Sequence, residues 1–212
     1  MITLKDYLDA YPQLSTVLAV SKTQSIENIE TLHTLGFNDF GENKAQELKL
    51  KASIHPEYHW HFIGHIQSNK IKEIVRFATT IHSVESLKHL ELIEKEASKL
   101  NKLINIFIQV NLTQETQKSG CHEDELDSLC EFIKTCPQLK LKGLMVMGPS
   151  SAETKETELT FKKAQNLIKQ TQKKHPECTE LSMGMSQDFE IALKYGSSII
   201  RLGTRLFGSR TR

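Results

Sequence analysis

The chain has 212 residues with 27 basic and 26 acidic side chains, a formal net charge of +1 with histidine neutral, and a pI near 7.7. That balance gives no electrostatic ground for expecting nucleic acid or an anionic membrane as partner, although Arg201, Arg205, Arg210 and Arg212 make a candidate basic patch. The opening MITLKDYLDAYPQL lacks a basic segment followed by an apolar core, and no apolar run approaches the roughly 20 residues of a membrane span. Cys121, Cys130, Cys136 and Cys178 form no CxxC pair and no zinc-spaced set with histidine, so the expectation is a cytoplasmic protein without a metal site, its thiols reduced.

Taken in chain order, the first element expected is a helix over Leu4–Tyr11, stopped by Pro12 and placed to cover one end of the fold. Eight short apolar runs follow: Val17–Ser21, Asp39–Gly41 with Gly36–Asn38 before it, Trp60–His65, Thr80–Val84, Ile104–Asn111, Leu139–Gly148, Glu180–Gly184 and Ser198–Gly203. Between them lie stretches of helical period. Ile71, Ile74, Val75 and Ala78 share one face, with Ser68 as capping candidate. Leu126, Leu129, Cys130 and Ile133 repeat the spacing, and Glu123, Asp124 and Glu125 suit a helix N-terminus. Phe189, Ala192 and Leu193 precede Gly196, a C′ candidate. No linker or low-complexity tract divides the chain. Eight strands alternating with helices predict a single α/β domain over residues 1–212, a TIM-like (β/α)8 barrel at its lower size limit. An open doubly wound sheet is the alternative and usually has fewer strands.

In such a barrel the chemistry gathers where strands end. Lys22 follows the first run. By position alone it reads as a packed stem with its ammonium in water; its chemical reading is a Schiff-base amine, activated where burial lowers its pKa. Ser186 follows run seven in SMGMS, where the N-cap of a helix starting at Gln187 belongs. Gly203 and Thr204 follow run eight. Loops after strands seven and eight commonly hold phosphate in these barrels. The alternative is a plain cap and a tight turn. Arg201 shares the strand face of Gly203 and can meet a cofactor ring nitrogen, a phosphate or a neighbouring carboxylate. Asn43 in GEN is a hydrogen-bonding candidate or a turn residue. His59, His61 and His65 cluster around Trp60, and residues two apart on a strand share one face, but no carboxylate or cysteine of matching spacing points to a metal. No GxGxxG, GxxxxGK[ST] or HExxH occurs.

The blocks LAVSKT, FGEN, WHFIGHIQSNK, IHSVES, QVN with KSG after it, GLMVMG, LSMGMSQDFEIAL and IIRLGTRLFG run in order from Leu18 to Gly208. In this the chain resembles the pyridoxal phosphate homeostasis proteins. The resemblance implies a barrel similar to the N-terminal domain of alanine racemase (fold type III of the pyridoxal phosphate proteins). It implies that Lys22 holds pyridoxal 5′-phosphate (PLP) as a Schiff base, that Ser186, Gly203 and Thr204 contact its phosphate, and that Arg201 and Asn43 lie near it. It further implies a non-catalytic carrier or regulator of PLP and vitamin B6 pools, with PLP-dependent apo-enzymes as recipients and a monomeric state. The chain departs from the family where Tyr-Val-Gln-Glu usually follows GEN; here Lys44-Ala45-Gln46-Glu47 follows. Its segment before the first strand is also shorter. Two other functions compete: a PLP-dependent amino-acid racemase or decarboxylase, and a barrel for another phosphorylated metabolite with Lys22 as charge partner or aldolase-like amine. Because the sequence stops soon after the last run, no second domain is expected to complete a racemase site.

Overall fold

The computed structural model describes residues 2–113, 115, 118–150 and 154–208. Eight parallel strands close into a barrel in sequence order: β1 (Thr16–Val20), β2 (Asp39–Glu42), β3 (His59–Phe62), β4 (Thr80–Val84), β5 (Ile104–Val110), β6 (Leu139–Val146), β7 (Glu180–Met185) and β8 (Ile199–Leu202), with β8 pairing back onto β1. The strands fall on the eight apolar runs, with β4 coinciding and no end shifted by more than three residues. The middle of the barrel is nearly continuous in its burial, every residue of β4 included, as expected where helices cover one face and lumen side chains fill the other.

The helices are α1 (Leu4–Ala10), α2 (Ile26–Thr34), α3 (Ala45–Ile54), α4 (Ile71–Phe77), α5 (Leu87–Leu100), α6 (Leu126–Lys134), α7 (Thr154–Lys174), α8 (Phe189–Lys194) and α9 (Thr204–Phe207). Gly196 sits at φ +84 behind α8, in the left-handed conformation expected of it. Two expected caps are not caps. Ser68 opens a 3-10 turn, Ser68–Lys70, and α4 starts behind it at Ile71 without a side-chain cap. Ser186 lies two residues before Asp188, the N-cap position of α8, because the chain first closes a turn from Met185 to Asp188. The first helix also differs from expectation. Leu4 N–H donates to Leu35 O at 3.0 Å, Tyr7 meets Phe37 edge to face, and Tyr11 meets Phe189. So α1 packs on the flank between α2 and α8, where the four-residue α9 leaves the helical ring short. The mouth at the strands' N-terminal ends stays open, with a cavity of about 370 Å³ lined by Asp39, His59, His61, Asn105, Lys142 and Glu180.

Side chains alternate along every strand. Outward residues such as Phe40, Trp60, Ile81, Ile106, Leu144 and Ile200 join the helices in one continuous apolar cluster. A second, smaller cluster of Leu18, Phe107, Met145 and Ile199 lies inside the barrel. All four cysteines are buried and free. Burial pushes the thiols of Cys121 and Cys178 up to about 12, which removes the reactive thiolate. Among the described residues no helix is long and apolar enough to cross a membrane.

Candidate functional site

At the strands' C-terminal ends a cavity of about 430 Å³ is lined by Lys22, Asn43, Ser186, Arg201, Gly203 and Thr204, together with Val20, Ile63, Met147 and Asp188. All six residues singled out from the sequence thus face one space, although they come from four separate stretches of chain.

Lys22 stands half-buried just past β1, and among the described residues no hydrogen bond or ion pair engages its side chain. Its backbone is held from both sides by a buried ion cluster that sequence reasoning did not find. Lys51 Nζ, on α3, donates to the carbonyl of Ser21 at 2.8 Å, to Glu42 Oε1 at 2.7 Å and to Glu47 Oε2 at 3.3 Å. The same Glu47 oxygen accepts the N–H of Thr23 at 2.7 Å, and Ser21 Oγ donates to Glu42 Oε1 at 2.7 Å. The atoms gripped are therefore the carbonyl before Lys22 and the amide after it. Thr23 is at φ +65, a conformation a β-branched residue adopts only under constraint; the short bond to Glu47 supplies that constraint. Burial pushes the Glu42 carboxyl up, with Lys51 opposing, while Glu47 is held below the usual range by the Thr23 amide and Lys51 despite its own burial. The signal was present in the sequence: Lys51 shares the inward face of α3 with Leu48 and Ala52, a charge where the period calls for an apolar residue.

Asn43 follows Glu42. Its Oδ1 is buried without a hydrogen-bond partner among the described residues. Its backbone is pressed against Gly64, where an added Cβ would lie 2.0 Å from the Asn43 carbonyl oxygen; only glycine permits that approach.

The opposite wall comes from the last two units. Gly184, at φ +91, kinks β7 where its register with β8 shifts, and a Cβ there would lie 2.6 Å from Ala192. The kink carries Ser186 over the end of β8, where its Oγ accepts the N–H groups of Gly203 at 3.2 Å and Arg205 at 3.4 Å. This hydroxyl joins the two loops instead of capping its own helix. With its oxygen accepting those two amides, the Ser186 hydroxyl keeps its own O–H and stands with the Thr204 hydroxyl as donors suited to an anion. Gly203 has negative φ, and the nearest atoms to an added Cβ, on Val20, stand 3.7 Å away or more. Nothing in the fold demands glycine there; the space a side chain would take belongs to the cavity. Asp188 lines the same cavity with its Oδ1 engaged by the Met185 N–H at 2.5 Å, so the wall is not uniformly cationic.

Arg201 is not in a surface ion pair. Its Nη1 donates to Ser182 O at 2.8 Å and Ser182 Oγ at 3.0 Å, and its Nη2 to Val146 O at 3.2 Å and Met147 Sδ at 3.1 Å. Burial lowers its pKa to about 10, which leaves it a cation at neutral pH. The basic patch expected with it does not form around this residue: Arg201 is buried, Arg205 lies over the Phe189 ring, and Arg210 and Arg212 are outside the described residues. The histidines also separate. His59 and His61 both reach Asp39 at the far mouth, whereas His65 stands at the near mouth beside Glu85.

Residues 5–211 match the family model for the alanine racemase N-terminal domain. A pyridoxal phosphate homeostasis protein of Pseudomonas aeruginosa is 36% identical over 201 residues, covering 94% of this chain and 86% of the relative. The solved structure of PipY from Synechococcus elongatus without PLP superposes with a TM-score of 0.88 at 33% identity, covering 93% of this chain and 94% of PipY. PipY with PLP bound gives 0.85 at 32% identity, covering 93% of each chain.

Proposed function

Because the chain belongs to the pyridoxal phosphate homeostasis protein family, within the alanine racemase N-terminal domain class, we propose that it binds pyridoxal 5′-phosphate on Lys22 and serves as a carrier or regulator of that cofactor. PLP, when bound, brings an aldehyde that condenses with a primary amine and a ring that can act as an electron sink. Three features of this chain fit it. Among the described residues Lys22 offers an amine with no competing partner, Gly203 leaves open space beside the hydroxyls of Ser186 and Thr204, and Asn43 Oδ1 lacks the donor that a ring hydroxyl would supply. The observation that carries the reading is the first of these: an unengaged amine, with its backbone clamped by Glu42, Lys51 and Glu47, facing an anion-binding wall. The amine nitrogen forms a double bond to the aldehyde carbon and the aldehyde oxygen leaves as water, so the Schiff base forms without redox change. Arg201 stands behind as a buried cation.

A carrier fits better than a racemase or decarboxylase. Besides Lys22 the lining offers, among the described residues, one carboxylate, already bonded to a backbone amide, and a guanidinium that does not give up its proton. We assign the role to this one barrel domain acting as a cytoplasmic monomer, with PLP-dependent apo-enzymes as recipients and neither nucleic acid nor membrane as partner. Reduction of the PLP-loaded protein with borohydride, then peptide mass spectrometry, is expected to find the pyridoxyl adduct on Lys22, and Lys22→Ala is expected to lose the visible imine band. An adduct on another lysine overturns the assignment; measurable racemisation of alanine or serine by the pure protein favours the enzyme instead.

A further inference from the structure

Among the described residues two that are not glycine adopt positive φ, Thr23 at +65 and Asn101 at +47. Asn101 closes α5, where a left-handed residue is a common stop. No helix ends at Thr23. It is exposed, and its side chain makes no hydrogen bond among the described residues, so neither packing nor a side-chain contact holds it in that conformation. What holds it is the bond from its N–H to Glu47 Oε2. Strain kept in place by one partner, beside the amine that faces the cavity, points to a use.

Glu47 forgoes a local role to make that bond. It is the third residue of α3, where an acidic side chain suits the cap and dipole of its own helix. The helix instead begins without a side-chain cap, and Glu47 reaches 24 residues back along the sequence to Thr23. Lys51, one turn further on, holds the same carboxylate oxygen at 3.3 Å and the Ser21 carbonyl at 2.8 Å. That carbonyl also accepts the Gln24 N–H at 2.9 Å, which closes a four-residue turn with Lys22 and Thr23 at its centre. The two central residues of such a turn move together. Positive φ at the second goes with an extended ψ at the first, and negative φ at the second goes with a helical ψ at the first. The conformation of Thr23 therefore selects the backbone of Lys22, and the backbone selects the rotamers open to the Lys22 side chain.

Resting on the PLP reading above, we propose that Glu47, anchored by Lys51, is a positioning residue: by holding Thr23 in the left-handed region it keeps the Lys22 amine aimed into the cavity, ready for an aldehyde. Without that acceptor the turn relaxes to the form threonine prefers, because the left-handed region lowers the population of an ordinary L-residue about tenfold. Glycine carries no such penalty. The phosphate wall at Ser186 and Thr204 lies across the cavity and is untouched by the change.

The test uses the full chain and follows the visible imine band after PLP is added. Glu47→Ala is expected to slow imine formation about tenfold, and Thr23→Gly in the same chain is expected to restore most of the rate. Pyridoxine 5′-phosphate, which has the ring and phosphate without the aldehyde, is expected to bind wild type and Glu47→Ala with equal affinity. Should Glu47→Ala not fold, Glu47→Gln takes its place, with the same order of effects at smaller amplitude, since an amide oxygen is a weaker acceptor than a carboxylate. An unaltered rate in the variant, a loss that Thr23→Gly does not relieve, or an equal loss of pyridoxine 5′-phosphate binding overturns the proposal. A readout without cofactor keeps the two readings apart. The Thr23 intraresidue Hα–HN NOE is expected to be strong in the free wild type, as positive φ requires, and weaker in Glu47→Ala. A weak NOE in the wild type overturns the proposal whether or not PLP binds, whereas a strong NOE in a protein that forms no imine refutes the functional reading alone.

Discussion

The layer between sheet and helices and the lumen of the barrel are built from the same eight strands, yet they obey different rules. The outer layer is one continuous apolar cluster in which Phe40, Trp60, Ile74, Leu129 and Phe161 interdigitate. Its cohesion is non-directional, a matter of volume and contact. The lumen shares its cross-section between four apolar side chains and the polar row of His61, His82, Ser182 and Arg201. Cohesion there depends on which atom donates to which. The first region can absorb a change of shape at a cost in free energy. The second can absorb changes of shape or charge only when the whole sequence of donors still closes. The candidate cavity lies at the end of the second region, where Arg201 lines it.

Experiments can break or sharpen this contrast. The largest effect is expected in the outer layer: Phe161→Ala should cost about 3–5 kcal/mol of stability, read by denaturant unfolding, while the PLP affinity of the protein still folded stays unchanged. A parallel loss of affinity would mean that the two regions are not separable. Next come the loops that close the near mouth. Ser186→Ala and Thr204→Val each remove a hydroxyl donor facing the anion site, and each should cost about 1.5–3 kcal/mol of PLP binding, read by spectroscopic titration with inorganic phosphate as competitor. Unaltered affinity in the double variant would displace the phosphate site. The smallest effect belongs to the lumen and to pH. His82 is held neutral in the fold, whereas in the unfolded chain it protonates near 6.5. The unfolded state therefore binds the extra proton, and stability should fall as pH drops below about 6.5, by up to about 1.4 kcal/mol per pH unit for this one group. His82→Gln should flatten that limb of the stability–pH curve. An unchanged slope would leave the acid loss to carboxylates such as Asp39, whose pKa its histidine partners lower against its burial.

Much of this molecule was legible before any coordinates. Eight apolar runs at regular spacing became eight strands because a parallel sheet covered on both faces leaves little room for polar residues within a run. The six cavity residues were legible because a closed barrel brings all strand ends to one mouth. The misreadings are local. Ser186 was read as a cap from its neighbours in sequence, but the kink at Gly184 turns its hydroxyl towards the amides of Gly203 and Arg205, a pairing no local pattern encodes. Lys51 escaped notice because its partners are the Ser21 carbonyl and Glu42 as well as its helical neighbour Glu47. His82 escaped because one imidazole inside an apolar strand has no periodic signature.

What the sequence determined by itself is the architecture and the mouth at which the candidate residues gather, since strand period, helix period and strand order are properties of the chain taken a few residues at a time. Only the tertiary structure decided where the first helix packs, which side chains clamp the backbone around Lys22, and that a row of hydrogen bonds through Ser182, His82 and His61 joins Arg201 to Asp39. Those depend on pairs such as His82 and Ser182, a hundred residues apart. A hydrogen bond requires an atom at a distance and an angle, which spacing along the chain does not specify until the barrel has closed.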